Sequence, residues 1–380
     1  MTEKLYYNDA YIEEFTARVT KAEYKEPCYL AVLDKTAFFP EEGGQSADTG
    51  TLGGARVLDV RECEGVIYHY LDRELEPGRE VVGKLDFAPR YDKMQQHTAE
   101  HILSGHFHSV FGLNNVGFHL GDNEVTLDID GVLTPDELLH AEELANASVR
   151  ACIPVTASFP SKDELEALEY RSKLDLKENV RIVEIEGVDT CACCAPHVKN
   201  TGEIGIIKLV SAERWRGGMR LIMHAGERAL KDYERKLASV CAISKELSAP
   251  RDEVAAAVSK LKEDFELLKQ QCAAKDRKIA ELLAEGVEES AGNAVVLLPD
   301  MTQSGMIAFS NSALPKIGGM LVALTGIEGS YKYVISSNST DLRAKAKDIN
   351  TALLGRGGGR PEMIQGSFSA SLDKIKDYFK

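Results

Sequence analysis

The 380-residue chain has a single tryptophan and no run approaching the roughly 18 apolar residues that a membrane helix needs. It is also short of positive charge: 45 Lys and Arg face 60 Asp and Glu, a formal net charge of −15. That deficit argues against a protein that coats nucleic acid through bulk charge. It leaves room for a local basic patch, because net charge governs solubility and association rather than site chemistry. The first residues, Met1-Thr2-Glu3-Lys4-Leu5-Tyr6-Tyr7, lack a basic segment followed by an apolar one, so no secretory signal and no membrane association are expected. There is no internal repeat, and the mixed, aperiodic composition excludes collagen-like, low-complexity and disordered classes. The eight cysteines are not spaced as a disulfide framework. Cys191, Cys193 and Cys194 crowd together while the others scatter, which fits a cytosolic protein whose clustered thiols bind metal or take part in redox chemistry.

What is present divides into regions, and the length alone suggests two or three domains at about 150 residues each. Residues 1–90 alternate short β-rich runs, such as Cys28–Leu33 and Gly65–Tyr70, with glycine turns at Glu42-Gly43-Gly44 and Thr51-Leu52-Gly53-Gly54. Regular glycine punctuation of this kind predicts a small barrel or sandwich. Residues 91–225 mix helical stretches (92–110, 134–151, 162–171) with strand-like runs (181–185, 205–210), an α+β pattern. Residues 226–286 carry no strand signal. Apolar side chains fall there at Val254, Val258, Leu261, Phe265, Leu268, Cys272, Ile279 and Leu282, a heptad seam, with a break at Ser248-Ala249-Pro250. The seam predicts either an intramolecular helical hairpin or a dimer contact. Residues 287–380 read as a further α/β unit in which Gly355–Pro361 forms a glycine-rich turn after the helical stretch 342–354. The fold class is therefore multidomain α+β.

Two short motifs carry chemistry. His97-Thr98-Ala99-Glu100-His101 lies in a helical pattern, and the i, i+4 spacing sets both imidazoles on one face, close enough to share an ion. Cys193-Cys194-Ala195-Pro196-His197 offers a thiolate and a third imidazole on a turn stiffened by proline. One cysteine and three histidines are the inventory of a tetrahedral Zn²⁺ site. On ligand type alone Cys191, Cys193 and Cys194 compete for the thiolate position. The first motif also fits the inverted metalloprotease pattern with Glu100 as base. The Cys/His pair has no use in such an enzyme, and Glu100 reads as a solvated charge on the helix face. Upstream, the stretch from Asp34 to Gly50 contains Gly43 and Gly44, which let backbone N–H groups approach a ligand. It also holds Thr36 and Gln45, neutral groups able to read a hydroxyl or amine.

Taken in order, Thr36–Gln45, His97–His101 and Cys193–Val198 followed by Asn200–Gly205 resemble the editing half of alanyl-tRNA synthetase and the free-standing AlaX alanyl-tRNA editing proteins. The stretch Glu213–Gly226 resembles the end of that editing domain. Gly355–Ser367 resembles the glycine-rich tail domain shared with DHH phosphoesterases. The resemblance covers nearly the whole chain and implies the long AlaX form: an N-terminal β-barrel (1–90), a zinc-containing editing domain (91–225), a helical coiled-coil linker (226–286), and a C-terminal tRNA-binding and dimerisation domain (287–380). It selects Cys193, with His97, His101 and His197, as the Zn²⁺ ligands, and Thr36 and Gln45 as the amino-acid pocket. It assigns no catalytic base. The implied activity is hydrolysis of seryl-, and secondarily glycyl-, esters of alanine tRNA, in the cytoplasm, by a homodimer. No aminoacylation is expected, because the chain starts at the barrel. The alternatives are a non-catalytic, zinc-stabilised tRNA-binding protein and a zinc peptidase. The family's usual Cys-Gly-Gly-Thr-His is replaced here by Cys193-Cys194-Ala195-Pro196-His197, which keeps the ligand spacing and loses the threonine.

Charge is uneven. Residues 316–380 carry +4, and the first 315 carry −19. Within that acidic part, Lys199–Arg220 carries +3 and includes Arg214-Trp215-Arg216-Gly217-Gly218-Met219-Arg220. Arginine and an aromatic beside glycine suit phosphate contact and base stacking, so Arg214, Trp215, Arg216 and Arg220 are expected to contact tRNA. Arg356, Gly357, Gly358 and Arg360 are expected to do the same in the tail. No DNA partner is expected.

Overall fold

The computed structural model describes residues 1–172 and 180–380. The chain divides into two compact units, Met1–Ser239 and Val240–Lys380, and the helix Gly226–Leu247 runs through the boundary.

In the first unit, six antiparallel strands hydrogen-bond in a closed ring. In spatial order they are Glu14–Lys25, Cys28–Leu33, Val66–Leu71, Ala55–Cys63, Gly50–Leu52 and Glu80–Leu85, the last pairing back to the first. The period-2 pattern explains the closure. Phe15, Ala17 and Val19 point inward while Glu14, Thr16 and Arg18 face water, and Phe38, Leu52, Val57, Ile67 and Leu71 complete the core. The ring tightens at a two-residue turn, Gly53-Gly54, where both φ values are positive (58° and 86°), a geometry that glycine adopts without steric cost.

The helix Phe87–Phe111 follows and ends at Gly112 in the left-handed conformation. It packs with the helix Pro135–Arg150 on a four-stranded antiparallel sheet ordered Ile207–Trp215, Gly218–Ala225, Val125–Ile129, Asn115–Leu120. Met94, Ile102, Leu103, Phe107, Leu127, Ala141, Leu221 and Met223 form that core. Thr134, Pro135 and Glu137 start the second helix with a capping box and a proline in its first turn. A three-stranded antiparallel sheet, Val155–Ser158, Ile182–Ile185 and Asp189–Ala192, carries the cysteine segment. The helix expected over 162–171 covers only Lys162–Ala167. The chain then turns extended, because the Arg171 backbone bridges Cys191 and its guanidinium grips Asp189.

The second unit is a five-stranded sheet ordered Ala294–Leu297, Met320–Ile327, Ser330–Ser337, Met363–Phe368, Gly355–Arg360. Helices Leu342–Ala352 and Leu372–Tyr378 cover one face. Helix Gln303–Ala313 and the end of Val254–Glu285 cover the other. Gly355–Arg360 is thus an edge strand, not the turn its composition suggests. Glycine permits it: a Cβ at Gly357 would sit 2.2 Å from the Gln365 carbonyl oxygen and 2.5 Å from Tyr333 Oη. Helix Val254–Glu285 spans the whole seam, and the break before it falls at Ser248–Pro250, as expected. Only Ala280 and Ala284 of that helix are buried. The seam residues Val258, Leu261, Phe265, Leu268, Ile279 and Leu282 are exposed, Phe265 at 62%.

Candidate metal centre

Helix Phe87–Phe111 turns His97, Thr98, Glu100, His101 and Ser104 inward. It approaches the turn before Asp189 so closely that a Cβ at Gly105 would fall 2.2 Å from the Val188 carbonyl oxygen. That approach brings Asp189 to His101.

Four side chains converge: His97, His101, Cys193 and His197 each place one donor atom within 4.8 Å of the others. Cys193 Sγ lies 3.6 Å from His97 Nε2 and 3.3 Å from His197 Nε2. The outer nitrogen of every ring is engaged. His97 Nδ1 donates to Gln45 Oε1 at 3.0 Å, and His101 Nδ1 donates to Asp189 Oδ2 at 2.8 Å. His197 Nδ1 meets Thr98 Oγ1 at 3.0 Å, and the Thr98 hydroxyl proton is given to the Met94 carbonyl. An amide oxygen and a carboxylate only accept, and the Thr98 proton is already spent. All three Nδ1 atoms therefore carry a proton, which leaves each Nε2 facing the centre as the atom that would ligate, His101 Nε2 releasing its own proton to do so.

Electrostatics agree with this arrangement. Burial opposes ionisation of Cys193, yet His97, His197 and a hydrogen bond with His101 hold its thiol well below the usual range. Burial likewise opposes a charge on His101, but Asp189 and Cys193 outweigh it and raise its pKa. His197 is pushed down to about 3 by burial, offset only in part by Cys193. A thiolate among buried imidazoles favours a cation at the centre. Among the described residues the buried Gln45 Nε2 atom has no hydrogen-bond partner, the kind of orphan expected where another group binds. Three nitrogens and one thiolate with fixed tautomers fit Zn²⁺.

The competing thiols are set apart. Cys191 lies by His101 and Asp189, and burial pushes its thiol up to about 11. Burial and the neighbouring Cys193 and Glu42 raise the Cys194 thiol, which rests over Gly43. Gly43 and Gly44 form a tight turn closed by a Glu42–Gln45 bridge, with positive φ at both. Gly44 abuts Phe118 so closely that a side chain would clash with the Phe118 carbonyl oxygen at 2.8 Å. This turn delivers Gln45 to His97. Thr36 is fully buried, with its hydroxyl engaged by His69 Nε2 at 2.9 Å and by the Phe38 N–H at 3.1 Å.

Glu100 corrects the sequence-based expectation. It is buried rather than solvated, hydrogen-bonded by Ser104 Oγ at 2.5 Å and by Asn115 Nδ2, with Oε2 4.0 Å from His101 Nε2. Its spacing, three residues after His97, already set it on the helix face of that ring. Asp189, Arg171 and Thr98 were also missed, and no local pattern marks them. Arg171 holds both Asp189 oxygens, at 2.7 and 2.8 Å. The centre opens on a cleft of about 2010 Å³ whose walls include Tyr7, Glu100, Phe118, Phe159 and Arg181.

The basic stretch is a hairpin, Ile207–Trp215 and Gly218–Ala225, turning at Arg216-Gly217 with positive φ at both. Trp215 is 37% exposed. Arg220 Cζ stacks 4.2 Å from its ring centroid while making two 2.7 Å contacts to Asp128, so its charge is already matched. Arg216 also lies over the ring, at 5.4 Å. In the tail strand, Arg356, Gly358 and Arg360 alternate with Gly357 and Gly359 along the sheet edge.

Comparison with known proteins accords with this geometry. Residues 180–223 match the threonyl and alanyl tRNA synthetase second additional domain. The chain is 30% identical over 353 residues to the alanyl-tRNA editing protein Aarsd1 of Danio rerio, covering 90% of this chain and 85% of that protein. It is 29% identical over 399 residues to the alanyl-tRNA editing protein AlaX-L of Pyrococcus horikoshii, covering 99% and 97%. It is 30% identical over 329 residues to the alanine–tRNA ligase of Ignicoccus hospitalis, covering 82% of this chain and 36% of the ligase. The chain spans 36–44% of the length of the ligases it matches. Among the described residues no helix is long and apolar enough to cross a membrane. On this similarity, which extends along nearly the full length of both editing proteins, the chain belongs to the AlaX-type alanyl-tRNA editing protein family, related to alanyl-tRNA synthetase.

Proposed function

We propose that this protein is a trans-acting aminoacyl-tRNA deacylase that hydrolyses the ester between a wrong amino acid and alanine tRNA, serine first and glycine second, without ligating activity. The observation that carries this reading is the three-histidine, one-thiolate cluster facing a cleft far larger than an amino acid. His97, His101, Cys193 and His197 would hold Zn²⁺, which when bound supplies Lewis-acid polarisation or a bound water of lowered pKa.

The chain's own residues do the rest. Gln45, Asp189 and Thr98 fix the ligand rings, and Arg171 fixes Asp189. Gln45, whose amide nitrogen is unpaired among the described residues, and Thr36 form the amino-acid pocket. The physical need for such a pocket is clear. Selecting alanine on fit cannot reject glycine, since one small group is worth only about 1–3 kcal/mol. A site built around the serine hydroxyl discriminates better, because a buried polar partner left unmade is costly.

Arg214, Trp215 and Arg216 on the hairpin contact tRNA, with Arg220 holding the indole in place. Arg356, Gly357, Gly358 and Arg360 contact it from the tail. We read the closed six-stranded ring as the small barrel of this architecture. The exposed seam of helix Val254–Glu285 is the coiled-coil surface of a homodimer, and the protein acts in the cytoplasm beside the translation machinery. The buried Glu100 is the one feature that favours a zinc peptidase, and a casein assay would expose such an activity. The direct test is incubation with seryl-, glycyl- and alanyl-charged alanine tRNA. Release of serine at least about tenfold faster than alanine is expected, and no release from any of the three overturns the reading.

A further inference from the structure

The cleft beside the metal centre has a second wall that the ligand set does not use. Strands Val155–Ser158 and Ile182–Ile185 are antiparallel with Ser158 opposite Ile182, and the same register carried one residue further sets Phe159 opposite Arg181. Both line the cleft, as does Tyr7 from the short helix Leu5–Asn8. The Tyr7 ring meets Phe159 edge-on, with centroids 5.5 Å apart, and Arg181 Cζ lies 5.3 Å from the Tyr7 centroid. Phe159 leaves 52% of its surface exposed.

Arg181 is held unusually firmly. Its Nη1 donates to the Cys193 and Ala195 carbonyls at 3.0 and 2.9 Å, and its own carbonyl accepts the Cys193 N–H at 3.0 Å. Among the described residues no carboxylate pairs with it and its Nε has no hydrogen-bond partner. Lys4 also lies by Tyr7, at 5.2 Å, but its charge is matched by Glu62 at 2.8 Å. Glu42 and Glu62 line the same cleft, so the wall is not a general anion trap. An exposed aromatic, an aromatic edge and one rigid guanidinium, without surplus positive charge, suit a flat, neutral π-system with hydrogen-bond acceptors.

We propose that Tyr7, Phe159 and Arg181 form a subsite for one unpaired nucleotide of the RNA's single-stranded end, its base stacking on Phe159. This rests on the editing reading and adds to it the contact that steers the acceptor end toward the metal centre. Stacking of this kind tolerates any base, because every base has a π-face. The Arg181 clamp ties the subsite to the same turn that carries Cys193.

The test uses the full-length protein and its Phe159→Ala and Phe159→Tyr variants, with seryl-tRNA and with serine methyl ester, which has no base. Phe159→Ala should raise KM for seryl-tRNA about tenfold, with a smaller change in kcat, and Phe159→Tyr should restore it. The loss on seryl-tRNA should exceed any loss on the methyl ester by a similar factor. Equal losses on both substrates, or an unchanged KM for seryl-tRNA, overturn the proposal. If the parent hydrolyses neither ester, the editing reading itself fails. The subsite then stands or falls on binding of a fluorescently labelled single-stranded RNA tetranucleotide, which Phe159→Ala should weaken about tenfold and which, left unweakened, refutes it.

Discussion

The candidate metal centre and the Trp215 hairpin lie in the same compact unit and are built on opposite plans. At the centre His97, His101 and His197 are buried, and each ring has its outer nitrogen committed to a partner from elsewhere in the chain. At the hairpin, Arg214 and Trp215 at a strand end and Arg216 in the turn stand in water, and only Arg220 is tied down, by Asp128. The contrast separates two demands. Ligation needs donors preset to within fractions of an ångström, so the surroundings over-determine them. Long-range attraction to a polyanion needs charge near the surface, where rigidity adds little.

The sharpest way to break this comparison is to loosen the centre without touching a ligand. Asp189→Asn keeps the shape but turns an obligate acceptor into a group that can also donate, so the His101 tautomer is no longer fixed. Zinc affinity, measured by competition with a chromogenic chelator, should fall about 10–100-fold. An unchanged affinity would mean that the outer contacts are incidental. A smaller effect is expected at the hairpin. The double variant Arg214→Ala, Arg216→Ala should weaken tRNA binding about three- to tenfold and flatten the salt dependence by up to about two counterions, with zinc content intact. A loss that does not vary with salt would show that these arginines are not phosphate contacts.

The same contrast explains what was legible in the sequence. The i, i+4 histidines and the nearby Cys/His segment are local, so three histidines and a cysteine cluster are legible from residue types and positions, while the choice of Cys193 over Cys191 and Cys194 comes from the family resemblance. Their supports were not legible, because Asp189 lies 88 residues from His101 and His197 lies 99 from Thr98. Only the folded helix and its close approach at Gly105 join them. Glu100 was readable in principle from its helix face but was assigned to solvent. The heptad seam gave helix Val254–Glu285 correctly, since a long periodic pattern needs no tertiary information. Gly355–Arg360 misled in the other direction. Glycine signals a turn locally, but here it serves an edge strand pressed against Tyr333 and Gln365.

The central claim is that the buried cluster makes this chain a zinc-dependent editing hydrolase. The most direct measurement pairs bound zinc with the single-turnover rate of seryl-tRNA deacylation in the parent protein and in Cys193→Ala. One zinc per chain in the parent, with zinc and rate lost together in the variant by at least about a hundredfold in rate, is the predicted result. Full deacylation by a zinc-free Cys193→Ala protein would contradict it.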